Sequence, residues 1–269
     1  MTDNPKPQFR KQLLLPTEHG SWSWLIVPYF VGVIVGGTIN LPVLLVFTGS
    51  MATFLLRQPA SLWARARRGN GRSRDIPTLK KIIAILTIIA ALSFVGLMAF
   101  GLTDLLLLIL PVALFFILYV FSARQKQSDT RVLGMEVAGS AALALVAPAA
   151  MVAATGTLSA EAWWIGGLMA AQNVLGVLYV RQRVADTHER AGNRQVMLGM
   201  HTAVFIFTLI AVTLHWMPIL AALPALLLLL RALWTYRAPH PIVHIKKFGF
   251  SEVGVEIMGG IVVAVAYLL

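Results

Sequence analysis

Ionisable residues are scarce in this chain, and those outside the basic stretches fall at or just inside the borders of long apolar runs. Glu18 and His19 stand in PTEHGSW, directly ahead of the run WSWLIVPYFVGVIVGG. Arg57 and Gln58 close a second run, in LLRQPAS, and Glu136 opens another, in RVLGMEVAGS. Gln172 and Asn173 interrupt a later run that ends LYVRQRVADTHER, with Tyr179, Arg181, Arg183 and Asp186; His201 lies just inside the next. KKFGFSEVGVE then brings Lys246, Lys247, Glu252 and Glu256 to the start of the last. Arginines in such positions hold phosphate or carboxylate through forked, charge-assisted hydrogen bonds. Glutamate and histidine beside them are suited to proton transfer. Glu252 and Glu256 are four apart, share one helix face, and call for a cation nearby.

The elements that must position these groups are apolar helices. The chain has 269 residues, of which 58% are hydrophobic and 12% charged, against about 25% charged in a soluble domain. Its apolar residues come in blocks of bilayer-crossing length. Nine spans are expected, at about 22–39, 41–56, 82–102, 105–121, 132–153, 163–180, 196–214, 217–234 and 253–269. The fold class is therefore all-α, a polytopic bundle, with residues 1–15 an N-terminal interfacial segment and 16–269 a single nine-helix domain. The first span reads as a retained helix, since it is long, lacks a small-x-small cleavage pattern and leads straight into the second. With nine spans, all 22 Lys and Arg fall on the side of the N-terminus, while the opposite turns hold only Asp104 and Glu161. The positive-inside rule then places the N-terminus in the cytoplasm and the C-terminus outside. The net charge of +11 sits in these loops, so it implies lipid headgroups as partners and not nucleic acid.

Each feature has a plainer reading beside the chemical one. The 65–74 run of arginines is also what a loop facing headgroups would carry. Arg181 and Arg183 could snorkel at a helix end, and Glu18 could rest on the positive end of the first helix. Trp22 and Trp24 suit an interfacial aromatic belt. Asn173 would either bond between helices or hold a substrate. His240 and His244 have ligand-like spacing, but prolines flank them. No cysteine is present, which excludes disulfides, thiolate metal sites and a cysteine nucleophile. The chain has no phosphate-loop, HExxH or nucleophile-elbow pattern, and no metal or cofactor is expected.

PTEHGSW, RQPASL, RVLGMEV, VLYVRQR and KKFGFSEVG resemble, in type and order, the blocks of the YwiC-like family of bacterial membrane proteins, from about residue 16 to the end. The resemblance implies the bacterial cytoplasmic membrane as location and assigns no activity. More distantly, the chain is similar to the UbiA-type intramembrane prenyltransferases. These have nine helices, a cytoplasmic polar cavity, and Asp-rich loops after helices 2 and 6 that hold magnesium-bound prenyl diphosphate. Here the first such stretch carries Arg57, Gln58 and Arg65 with no carboxylate, and the second keeps only Asp186 and Glu189. Two aspartate clusters for magnesium are absent from the sequence, since hard cations want several oxygen ligands.

The expectation is a cytoplasm-facing basic cavity that binds an anionic lipid or isoprenoid phosphate without a metal. Arg57, Gln58, Arg124, Asn173, Tyr179, Arg181, Lys247 and Glu252 are its candidate ligand-binding residues. Glu18, His19 and Glu136 are the candidates for proton transfer, were the ligand to be transformed as in a prenyltransferase-like enzyme. A small-anion transporter and a non-catalytic scaffold that binds anionic lipid are the alternatives.

Overall fold

The computed structural model describes residues 13–15, 19–67, 72–122, 129–190 and 192–269, and it is helical throughout, with no strand among them. A 3₁₀ turn, His19–Trp22, leads into α1 (Ser23–Gly36), followed by α2 (Leu41–Ala66), α3 (Ile76–Ala99) and α4 (Leu105–Ser122). Next come α5 (Asp129–Ala144), α6 (Val146–Thr155), α7 (Ala160–Thr187), α8 (Arg194–Thr213), α9 (Ala222–Arg237) and α10 (Ile245–Leu268). Among the described residues, seven helical segments are long and apolar enough to cross a membrane, with α5 and α6 counted as one. The shorter apolar helices Ser23–Gly36 and Leu105–Phe121 stand where the first and fourth spans are expected. The chain is a multi-pass membrane protein whose outer faces meet lipid. On α3, for example, Ile85, Ile88, Leu92 and Val95 form one exposed apolar face.

Several helices outrun their apolar stretches. α2 continues ten residues past the expected end at 56, so Arg57 and Gln58 lie within it. α7 continues to Thr187, carrying Arg181, Arg183 and Asp186 on its last turns. α10 begins at Ile245, eight residues before the expected start, which makes Glu256 the twelfth of its 24 residues. Hydropathy marks where a helix meets hydrocarbon, whereas backbone hydrogen bonding carries the helix on into polar surroundings.

Prolines break the backbone ladder and partners mend it. Pro148 supplies no N–H for the Ala144 carbonyl, and the fifth crossing breaks there, at Leu145, into α5 and α6. Pro28 likewise leaves the Trp24 carbonyl in α1 without its usual donor. The Asn173 amide of α7 takes that carbonyl at 3.0 Å and the Ser140 carbonyl of α5 at 2.9 Å. One fully buried side chain thus ties three helices. At the other end of α1, Asn40 caps α2 through Val43 N–H at 2.9 Å and donates to Ala153 O at 3.0 Å.

α1, α5, α6 and α7 make the centre, with α2 to α4 on one flank and α8 to α10 on the other. Between hydrocarbon-facing helices, close backbone approach replaces the hydrophobic effect as the source of cohesion. Gly32 and Gly36 of α1 are one turn apart and lie against α6. A β-carbon on Gly32 would fall inside the Ala147 carbonyl, and one on Gly36 would be 2.7 Å from the Ala154 methyl. Gly32→Ala is expected to lower stability in detergent by about 1–3 kcal/mol, the usual range for overpacking. Gly199 on the exposed face of α8 has open space around its Cα. Gly199→Ala is expected to leave the thermal unfolding midpoint unchanged or slightly raised, since alanine favours helix.

Candidate functional site

With 28 residues, α7 is about 42 Å long, more than the roughly 30 Å of hydrocarbon. Its last turns carry the polar groups to one end of the bundle, where the first residues of α8 and α10 and the last of α9 also gather. Tyr179, only 2% exposed, is the centre of this region. The guanidinium carbon of Arg231 (α9) stands 3.8 Å from the centre of its ring, and Phe248 (α10) stacks at 6.4 Å. The Tyr179 hydroxyl accepts from Arg183 Nη1 at 2.7 Å. Arg183 lies over three aromatic rings, 5.0 Å from Phe248, 5.6 Å from Tyr179 and 5.7 Å from Trp234. Rings at these distances stabilise a cation through their negative faces.

Arg231 Nη1 donates to both oxygens of Glu252, at 3.0 and 2.9 Å. This is the cation that the Glu252–Glu256 pair calls for. Nearby, Asp186 holds the end of the bundle together. Its Oδ1 accepts from Arg194 Nη2 at 2.6 Å and from Gln182 at 2.8 Å, and its Oδ2 accepts from His240 N–H at 2.9 Å. Arg183 Nε donates to the His240 carbonyl at 2.7 Å, and Ile242 N–H donates to Thr187 Oγ1 at 2.8 Å. The 238–244 connection between α9 and α10 is therefore strapped across the end of α7.

Towards the other end, an apolar cavity of about 500 Å³ opens between α7 and α8, lined by Trp163, Trp164, Gly167, Ala171, Val204 and Phe207 among others. A smaller void of about 20 Å³ carries on from it past Ala171, Gln172 and Leu175 to Leu228 of α9. Tyr179 is one turn beyond Leu175, and Arg231 is three residues beyond Leu228. The two voids together follow α7 from Trp163 to Leu175, and neither is lined by Tyr179, Arg183 or Arg231.

The candidate residues from the sequence distribute as follows. Tyr179 and Glu252 are at the centre just described. Arg181 pairs with Glu136 of α5 at 3.0 Å, both partly exposed. Arg57 lies over the rings of Phe54 and of Tyr119 (α4), 5.5 Å from each, and so joins α2 to α4. Gln58 is on the same turn of α2, its carbonyl accepting from Ser61 at 2.9 Å. Both amide hydrogens of Asn173 go to other helices, which supports the interhelical reading of that residue. Lys247 is exposed on the first turn of α10. Glu18 and Arg124 lie outside the described residues, as does the His19 side chain. Among the described residues, no three His, Asp or Glu gather as a metal ion would require.

Arg183 is weighed from the sequence without joining the candidate ligand-binding residues, and Arg231 is not singled out at all, although the sequence carries a signal for it. Arg231 interrupts LLLLLRALW, and a charge inside such a run needs a partner. Removing that partner has a cost. Arg231→Met would leave Glu252 half-buried and unpaired, and is expected to lower stability by about 3 kcal/mol. Adding Glu252→Gln should recover most of the loss, and a double-mutant cycle of thermal unfolding in detergent measures both steps.

Comparison with known proteins yields one match. The family model described as YwiC-like protein matches residues 15–151, from the segment before the His19 turn into α6. No curated protein and no solved structure matches the chain.

Proposed function

The chain belongs to the YwiC-like family, and from that premise we propose that it binds an anionic amphiphile of the bacterial cytoplasmic membrane. The headgroup, a phosphate, diphosphate or carboxylate, rests on the Arg183 end of α7, and the apolar tail extends along α7 towards the cavity between α7 and α8. The observation that carries this reading is the set of partners around Arg183. Arg181, Arg194 and Arg231 are each paired with a carboxylate. Among the described residues, Arg183 has only uncharged partners within bonding distance, namely a hydroxyl, a carbonyl and three rings. The Glu252 carboxylate is within its electrostatic reach but is hydrogen-bonded to Arg231, so among the described residues Arg183 has no ion-pair partner of its own.

Lys247, exposed on the first turn of α10, would attract the headgroup from the aqueous side. An arginine fork holds such an oxyanion directly, without the magnesium ions that Asp-rich loops would supply. A transferase, the class implied by the similarity to UbiA-type enzymes, would draw its proton-transferring group from Glu136 or from the Glu18–His19 segment.

Native mass spectrometry of the protein extracted with its own lipids tests the proposal. One class of anionic lipid or isoprenoid phosphate is expected to remain on the wild type. Arg183→Gln should reduce its occupancy roughly tenfold, the loss of about one charge-assisted bond. Bulk lipids in equal amounts on both proteins would refute the reading. Arg57→Ala, examined in the same way, asks whether the headgroup reaches α2.

A further inference from the structure

Given an anionic headgroup at Arg183, the reading on which this inference rests, we propose that the 238–244 connection is the positioning device of that arginine. The backbone of His240 holds the guanidinium so that its Nη1–Nη2 end is presented as a fork for one oxyanion. Arg183, Asp186 and Thr187 stand three and four residues apart on the last turns of α7, so they share one face. All three bond to the connection. His240 N–H donates to Asp186 Oδ2 at 2.9 Å, and the His240 carbonyl accepts from Arg183 Nε at 2.7 Å. One residue is thus gripped at both of its backbone groups by side chains one turn apart. Ile242 N–H adds a third bond, to Thr187 Oγ1 at 2.8 Å, and that hydroxyl donates to the Arg183 carbonyl at 2.8 Å.

The sequence APHPIVH suits this grip. Proline fixes its own φ and drives the residue before it into extended conformation. Ala238, ahead of Pro239, is extended, with φ −153° and ψ 157°, and Pro241 places the same restriction on His240. Neither proline has an N–H, so the His240 N–H is the only one between Ala238 and Ile242 that needs an acceptor. The His240 ring stands 3.7 Å from that of Trp234, centre to centre, and its Nδ1 is 2.7 Å from the Ala238 carbonyl. These contacts steady the connection from the α9 side.

Arg183 is therefore held at two of its three nitrogens, Nε on the His240 carbonyl and Nη1 on the Tyr179 hydroxyl. An arginine has five N–H groups, and these bonds use two of them. Nη2 has no partner among the described residues and is not enclosed. Both oxygens of Asp186 are engaged by Arg194, Gln182 and His240, and both of Glu252 by Arg231, so neither carboxylate closes that end. Two parallel bonds from Nη1 and Nη2 fit two oxygens carried on one phosphorus or carbon. The other fork, Nε with Nη2, is closed by the His240 carbonyl. A guanidinium held in advance loses less freedom when the ligand arrives, which raises affinity.

Nitrogen-15 NMR of arginine-labelled protein in detergent reads the device through water exchange at Nε–H, the Arg183 signal being the one missing in Arg183→Gln. Thr187→Val removes the Ile242 bond and Pro241→Gly frees the His240 backbone; neither alters an atom that bonds the guanidinium. Each is expected to speed exchange at Arg183 Nε about tenfold, the factor that goes with one hydrogen bond. In native mass spectra each should also lower, by about fivefold, the occupancy of the anionic lipid that Arg183→Gln loses. Thr187→Ser keeps the hydroxyl and should restore both. Unchanged exchange in both variants would overturn the inference, and so would faster exchange with lipid at the wild-type level. In those cases the contrast of wild type with Arg183→Gln still judges amphiphile binding by itself. Equal lipid on those two proteins would instead refute the binding reading, and this inference with it.

Discussion

The approach of α1 to α6 is the constraint on which the remaining packing rests. Gly32 brings the backbone of α1 against the Ala147 carbonyl, closer than any side chain permits, and Gly36 repeats the approach one turn later. From that axis α1 reaches α5, α7 and α10 with its other faces. Gly260 of α10 accepts Val27 and Val31 of α1, and Gly166 of α7 accepts Pro148 of α6. In a lipid solvent the side chains gain little by leaving hydrocarbon for a protein interior, so closeness of backbones supplies the cohesion. Glycine and alanine are accordingly found where the central helices cross, and large aliphatic residues where they face lipid.

The second requirement is that no backbone polar group be left in hydrocarbon without a partner. Pro28 creates such a group at Trp24, and Asn173 answers it from another helix. The exchange converts a local defect into a tertiary bond. It also explains the fully buried asparagine that, with Gln172, interrupts the apolar middle of α7.

At the arginine end the same economy of partners produces an electrostatic asymmetry. Three arginines are matched by Glu136, Asp186 and Glu252, and Arg183 is matched by aromatic faces and neutral oxygens. Aromatic rings can hold a cation without cancelling its charge. On that distinction rests the proposal that Arg183, and not the three ion-paired arginines, meets an anion. Membership of the YwiC-like family fits a multi-pass membrane protein and does not by itself assign a ligand.

The sequence alone determined the class of fold and the residue types at stake. Long apolar blocks imply helices in a membrane because a backbone in hydrocarbon must bond to itself, and polar residues within such blocks imply interior positions. The need of Glu252 for a cation was likewise legible from its spacing to Glu256. Helix ends were not, because α2, α7 and α10 extend into polar sequence that hydropathy reads as loop. Nor was the choice of partner. Arg231 and Glu252 are 21 residues apart, and Asn173 and Trp24 are 149 apart. One sequence contains many possible pairings of equal chemistry. Only the crossing of α1, α7, α9 and α10 decided which pairs meet, because hydrogen bonds and ion pairs act over a few ångströms and depend on where the backbones are brought close.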